Sequence, residues 1–415
     1  MSAQAAGVAP ARRGWTFRMT WVRVVLLGLV GLFSGLVLYR FVFGLGAATN
    51  LSDRWPWGLW VWWDVLTGVA LASAGYATAL LVHFLGRERW RIVERGAFLT
   101  SLLGYLMVCG GLLIDLGQWY RAWHPVVFLD RWNPHSVMFE LYWCVGGYTL
   151  VQIVELLPIL TERVHLPWLA RVARKIYAPV LFFGIILPFL HQSALGSLYV
   201  IAKGAMDPLW WTMLLPLLFF LSSFFVGPAM VTLESFLSSR SHGRRPPTRL
   251  LTEMVGLAGW IMVVYLALKI GDLVWRGVLP RVFEGSVASN LWLVEVVFGV
   301  AVPMVVFLSP HARRSAVGLV TASALTAGGV VLNRANVVFT SMAASAEGAV
   351  YVPYWMEVAV TGGLIAAGVL AYLFITENFP IHPADRETPV APPARAPRAD
   401  VRIPADGPHA AHATG

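Results

Sequence analysis

The chain has 415 residues, 58% of them apolar and only 13% charged, with a mean hydropathy of +0.67 and a formal net charge of +9. Soluble domains carry about 25% charged residues, so the composition excludes an ordinary water-soluble enzyme and points to a bilayer protein. The positive charge does not indicate nucleic acid, because the arginines fall in short groups between apolar runs, as a membrane demands.

A helix needs about 20 apolar residues to cross the hydrocarbon core. Ten runs meet that length: 21–45, 57–85, 96–116, 135–160, 176–202, 211–237, 250–275, 289–309, 316–340 and 354–376. The predicted fold is an all-α integral membrane protein of about ten transmembrane helices. Its expected parts are an N-terminal segment (1–20), a polytopic domain (21–376) and a Pro- and Ala-rich tail (377–415) read as disordered.

In chain order, Arg12, Arg13, Arg18 and Arg23 precede or open the first run. Arg12-Arg13 faintly resembles a twin-arginine signal. The run is too long for a signal core, and no clean small-residue cleavage site follows, so it is read as a crossing. The second run follows Pro56-Trp57-Gly58-Leu59-Trp60 and carries Asp64, with Arg87, Arg89, Arg91 and Arg95 after it. The third ends at Asp115. The fourth follows Asn133-Pro134-His135-Ser136 and holds Glu140 and Glu155.

On a helix, Glu140 and Glu155 lie about 60° apart in azimuth and about 22 Å apart in depth. Cys144, Gly147, Tyr148 and Val151 fall between them. That face offers a broken proton relay, the plain alternative being two carboxylates each bonded to a neighbour. The fifth run contains Pro188 and His191. Proline frees a helix carbonyl and kinks the helix, opening space beside His191. Histidine can hydrogen-bond a quinone carbonyl and pass a proton near neutral pH. The later runs carry Lys269 and Asp272, Glu295, Arg334 and Glu357.

Arg163, Arg171, Arg174 and Lys175, then Arg240, Arg244, Arg245 and Arg249, then Arg313 and Arg314 follow the fourth, sixth and eighth runs. The opposite loops hold only Arg54, Arg121, Arg131, Lys203, Arg276 and Arg281. By the positive-inside rule both termini are predicted to be cytoplasmic, in a bacterial inner membrane.

Ionisable side chains within a bilayer are expensive and mark function by default. Arg40, Asp64, Asp115, Glu140, His191, Lys269, Asp272, Glu295, Arg334 and Glu357 all fall in or near the outer half. Glu155 is the clearest inner one. Such a layer is either a network that locks helices together or a reaction site near the outer surface. Two cysteines, Cys109 and Cys144, are too few for an iron–sulfur cluster. His83 and His191 sit at mismatched depths and His135 at a helix end, so a haem pair is not expected, nor is a metal site.

Four stretches carry a resemblance: Pro56-Trp57-Gly58-Leu59-Trp60 with Asp64; Asn133-Pro134-His135-Ser136 with Glu140; His191-Gln192-Ser193-Ala194-Leu195-Gly196-Ser197-Leu198 with Pro208-Leu209-Trp210; and Leu332-Asn333-Arg334-Ala335-Asn336-Val337 with Tyr351-Val352-Pro353-Tyr354-Trp355-Met356-Glu357. In order and spacing they resemble the NrfD-like, polysulfide-reductase-type membrane subunits. They are most similar to the ten-span branch that includes the cytochrome b-like subunit of periplasmic nickel–iron hydrogenases. Ala194 in the His-Gln-Ser run is a mild departure.

The resemblance implies two four-helix bundles with extra helices, no haem, and a quinone site near the periplasmic face. It also implies a periplasmic iron–sulfur, ferredoxin-like partner that wires the quinone to a catalytic subunit, such as a nickel–iron hydrogenase or another respiratory oxidoreductase. The expected substrate is menaquinone or ubiquinone. Two-electron quinone reduction takes up two protons, so acids must stand beside the carbonyls. The expected quinone-binding residues are Trp60, Asp64 and His191, the proton path Asp115, Glu140 and Glu155, and the residues expected to balance charge Arg334 and Glu357. The rival readings are a secondary transporter with a midplane site, a proton-translocating subunit without its own quinone site, and an anchor for a peripheral complex.

Overall fold

The computed structural model describes residues 15–379 and 381, except 87, 165, 166, 242 and 244. Arg12-Arg13 and nearly all of the expected tail lie outside the described residues. The described chain has no named strand, and ten of its helices are long and apolar enough to cross a membrane. These are α1 (Trp21–Phe43), α2 (Trp60–Phe84), α3 (Glu88–Asp115), α4 (Val137–Ile159), α5 (Tyr177–Val200), α6 (Leu215–Ser241), α7 (Thr248–Trp275), α8 (Val287–Leu308), α9 (Ala316–Thr340) and α10 (Trp355–Asn378).

Ten spans were expected, and the boundaries move where local hydrogen bonds decide them. The third helix starts at Glu88 rather than 96 because a 3₁₀ turn over Glu88–Trp90 feeds into it. The sixth starts at Leu215 rather than 211. Thr212 Oγ1 accepts the Leu214 N–H at 3.0 Å there and holds the preceding residues in turns. The α1 helix stops at Gly44, whose φ of 90° only glycine adopts freely, and its N–H bonds the Arg40 carbonyl. Ser286 and Ser315 cap α8 and α9 through the Ser289 and Gly318 N–H groups.

The helices form two four-helix bundles, α2–α5 and α6–α9, with α1 and α10 paired alongside α3 and α2. The α2 helix is central: it packs on α3, α5, α6, α9 and α10. In its most apolar stretch 83% is buried inside the protein, against 11% for α1, whose exposed Val, Leu and Phe side chains suit lipid contact. Close crossings depend on small residues. A Cβ on Gly299 of α8 would lie 2.5 Å from the Gly329 Cα of α9.

The chain's described ends meet on one face. Asn378 Oδ1 accepts the Thr16 N–H at 2.8 Å, and Arg23 pairs with Glu377 at 2.5 Å. That terminal face also carries Arg18, Arg89, Arg91, Arg171, Arg240, Arg249 and Arg314. The opposite, far face carries the polar groups described next.

Candidate functional site

Three buried polar clusters occupy the interior. The first lies where α1, α2, α3 and α10 meet near the far face. The opening turns of α2, Trp60–Thr67, are π-helical, a widening that recurs at functional positions. It carries Asp64, which is 6% exposed and accepts one hydrogen bond, from Thr361 of α10 at 3.1 Å. Gly111 of α3 makes room for it, since a Cβ there would lie 2.6 Å from the Asp64 Cβ. Trp60, fully buried beside it, donates from Nε1 to the Glu357 carbonyl at 3.2 Å.

Arg40 of α1 is completely buried. One NH2 group reaches the Leu116 carbonyl at 2.5 Å, while its Nε and NH1 have no hydrogen-bond partner. Asp115 is the carboxylate whose charge Arg40 feels, although no ion pair forms at contact distance. Glu357 is fully committed to holding chain segments together. It accepts the Asn50 N–H at 3.2 Å, the Tyr354 N–H at 2.7 Å and the Tyr351 hydroxyl at 2.6 Å. The Tyr351 hydroxyl in turn accepts the Leu59 N–H at 2.7 Å.

The second cluster fills the α2–α5 bundle. Proline at 188 is accommodated inside α5, and His191 three residues on is fully buried. Its Nε2 meets the Tyr105 hydroxyl of α3 at 2.5 Å, and its ring lies 5.8 Å from that of Tyr148 on α4. Gln152 of α4 donates to Ser101 of α3, and Ser101 to the Ala72 carbonyl at 2.5 Å. One turn further toward the terminal face, Glu155 is 5% exposed. A Cβ on Gly184 would touch its Oε1 at 2.7 Å, so the glycine is what admits it. At that end His83 bonds Glu94, with the Tyr177 hydroxyl 3.4 Å away.

The third cluster joins α7, α8 and α9. Lys269 pairs with Glu295, whose carboxylate also accepts Asn333 Nδ2 at 2.8 Å, Asn336 Nδ2 at 2.9 Å and Trp210 Nε1 at 2.9 Å. Asn336 opens another π-helical turn, Asn336–Thr340. Arg334 is 1% exposed and stacks on Phe219 with its guanidinium 3.5 Å from the ring centre. It donates to Asn333 Oδ1 at 2.6 Å and Ser222 Oγ at 2.7 Å. Among the described residues it pairs with no carboxylate.

The expected site residues are therefore distributed. Trp60, Asp64, Asp115 and Glu357 come together, with Arg40. His191 belongs to the second cluster and does not touch Asp64. The α3 helix joins the two, since Tyr105 meets His191 and Gly111 meets Asp64. Glu155 lies below the second cluster, while Glu140 is half-buried at the far end of α4, where no described residue hydrogen-bonds its carboxyl. Arg334 and Glu357 do not meet; each has its own neutral partners. Tyr105 and Gln152 escaped the sequence reading because a neutral polar side chain in an apolar run carries no periodic or charge signal, and Tyr148 entered it only as part of the strip between Glu140 and Glu155.

Fold and clusters together define a polytopic membrane protein whose described buried polar side chains gather within its helix bundles and at the junction of α1, α2, α3 and α10. Residues 47–346 match the family described as polysulphide reductase, NrfD, and the chain belongs to that family. It is 33% identical to a protein of Nitratidesulfovibrio vulgaris, over 86% of this chain and 92% of that one. It is 30% identical to the probable Ni/Fe-hydrogenase 2 b-type cytochrome subunit of Escherichia coli K12, over 84% and 89%. It is 26% identical to the menaquinone reductase integral membrane subunit of N. vulgaris, over 83% and 87%.

Proposed function

We propose that the protein is the quinone-reactive membrane subunit of a respiratory oxidoreductase in a bacterial inner membrane, with both termini cytoplasmic and the far face periplasmic. Electrons pass between a periplasmic iron–sulfur subunit and menaquinone or ubiquinone held in the first cluster. A catalytic partner of the hydrogenase type or a related one completes the complex. No haem or iron–sulfur centre belongs to this chain.

The observation that carries this reading is a junction of α1, α2, α3 and α10 that holds both Asp64, a buried carboxyl with a single hydroxyl partner, and Arg40, a buried guanidinium with unmet N–H groups. Buried polar groups are nearly always satisfied, so spare donors in the same junction as an under-used acid suit a ligand with carbonyl oxygens. Trp60 forms an apolar wall. A likeness to a menaquinone reductase subunit supports the choice of ligand.

Quinone reduction takes up two protons, and a positioned acid must deliver them. Asp64 serves one carbonyl. His191, hydrogen-bonded to Tyr105, hands a proton toward the site along α3, and Glu155 supplies the second cluster from the cytoplasmic side. Asp115 keeps Arg40 charged. Glu140, near the far end of α4, exchanges protons with the periplasmic side.

The test is quinone turnover by the intact complex beside its activity with an artificial dye. Asp64→Asn and His191→Ala should each lose most quinone turnover while dye activity and subunit assembly persist. Normal quinone turnover in both variants places the site elsewhere. A reduced-minus-oxidised spectrum of the purified subunit should lack a stoichiometric b-type band, because His83 and His191 are each engaged by Glu94 and Tyr105.

A further inference from the structure

The third cluster has its own opening. A narrow cleft, with room for about one water, runs in from the far face between α6, α7 and α9, with Asp272 and Arg276 toward its mouth and Thr212, Tyr265, Lys269 and Asn333 within. Lys269, Asp272 and Arg276 recur at helical spacing and so share one face of α7. At the mouth Asp272 accepts Thr212 Oγ1 and Arg276 Nε, each at 2.7 Å. Lys269 is 6% exposed, yet it borders this cleft.

The charges behind Lys269 are arranged unequally. Among the described residues Glu295 is the one carboxylate in the knot, facing two cations. Asn333 lies between it and Arg334, donating to the carboxylate and accepting from the guanidinium. Arg334 thus compensates Glu295 through one amide. With Lys269 protonated the buried set carries one net positive charge; with Lys269 neutral it carries none. Of the two cations only lysine readily gives up its proton.

We propose that Lys269 is a proton-exchange centre, separate from the quinone site, that releases and regains a proton through this cleft to the aqueous phase at the far face. This rests on the quinone-reactive reading, which supplies the redox event that drives it. The Lys269 N–H bond breaks, the proton passes to water in the cleft, and Glu295 stays anionic against Arg334. The other ionisable groups around it are Tyr265, Asp272 and Arg276 on α7, Asp207 and its partner Arg281 in the adjoining loops, and Tyr76 and Tyr199, which feel Arg334 from α2 and α5.

The experiment uses the intact complex in sealed vesicles, measuring quinone turnover and protons moved per electron. Lys269→Arg keeps a cation against Glu295 but holds its proton. It should assemble, retain quinone turnover and lose at least half of the protons moved beyond those of quinone chemistry. An unchanged ratio of protons to electrons overturns the proposal. So does a wild type whose proton movement is accounted for by quinone alone. A wild type that does not turn over quinone overturns the functional reading instead.

A second arm is independent of turnover and of any Lys269 variant. Thr212→Cys, in a chain with Cys109 and Cys144 replaced by serine, should react with a membrane-impermeant thiol reagent added at the far face and not at the terminal face. Protection from the far face overturns the cleft as an aqueous path.

Discussion

Asp64 and Glu295 are both buried carboxyls on far-face halves of central helices, yet they are held differently. Glu295 accepts hydrogen bonds from Asn333, Asn336 and Trp210 and pairs with Lys269. Asp64 accepts one hydroxyl hydrogen bond, and the nearby Arg40 does not reach it. A carboxylate that receives several N–H donors is fixed in its charged form, whereas one with a single neutral partner is free to bind or exchange a proton. The second bundle thus uses its acid to set charge, and the α1–α2–α3–α10 junction keeps its acid available.

The largest effect expected from this contrast lies in stability at Glu295. Removing one partner of a buried ion pair costs about 3–5 kcal/mol, because the other charge is left uncompensated. Glu295→Gln leaves both Lys269 and Arg334 without a counter-charge and should reach that range. Lys269→Met leaves Glu295 against Arg334 through Asn333 and should cost about 2 kcal/mol less. Thermal unfolding of the detergent-solubilised subunit measures both. Equal losses would remove the compensation by Arg334.

Next in size is catalysis at Asp64. Asp64→Asn keeps an acceptor for Thr361 and should change stability by less than about 1 kcal/mol. Because an amide delivers no proton, quinone turnover should drop by about tenfold to a hundredfold or more. A loss of stability to match the loss of turnover would make Asp64 a structural residue like Glu295. Tyr105→Phe tests the neighbouring cluster. It removes the hydroxyl that meets His191 Nε2 and should lower turnover less than Asp64→Asn, since it acts one step from the proposed quinone.

The spans, their order and the far-face layer of acids were readable because each rests on composition or charge: apolar runs of sufficient length, arginines on alternate loops, and ionisable groups where a bilayer makes them costly. What joins to what was not readable. Sequence places His191 and Asp64 together in the outer half, but they meet α3 six residues apart, at Tyr105 and Gly111, and turn toward α4 and α10 respectively. The strip from Glu140 to Glu155 faces inward as its spacing implies, with Cys144 and Tyr148 buried. Its contact to His191 runs through Tyr148, which sequence treats as one more aromatic. Arg334, expected to balance charge, sits one amide away from Glu295, and the π-helical turn after it carries Asn336 to the same carboxylate. Such pairings depend on turns of helix that wind differently from their neighbours, and hydropathy carries no record of that.

The smallest effect expected concerns Tyr351, which closes the far-face end of the first cluster. It lies just before α10, donates to Glu357 and accepts from the Leu59 N–H, so it ties the start of α2 to the start of α10. Tyr351→Phe removes both bonds and should cost about 1–2 kcal/mol. Quinone turnover should fall only a few-fold, because Trp60 and Asp64 keep their own partners in Glu357 and Thr361. Burial raises the Tyr351 hydroxyl above its ordinary range, and the Glu357 carboxylate adds to the rise. The sign follows from linkage. A group whose pKa is higher in the folded chain contributes fully below its unfolded value, here about 10, and loses that contribution as pH climbs through the folded value. The stability difference between wild type and Tyr351→Phe should therefore be constant from neutral to mildly alkaline pH and shrink only above about pH 10. Thermal unfolding of both proteins across that series measures it. A difference that instead grows as pH rises from near neutrality would mean that Tyr351 ionises in the folded chain before it does in the unfolded one, and a hydroxyl that ionises there cannot be the fixed donor that keeps Glu357 in place at the edge of the site.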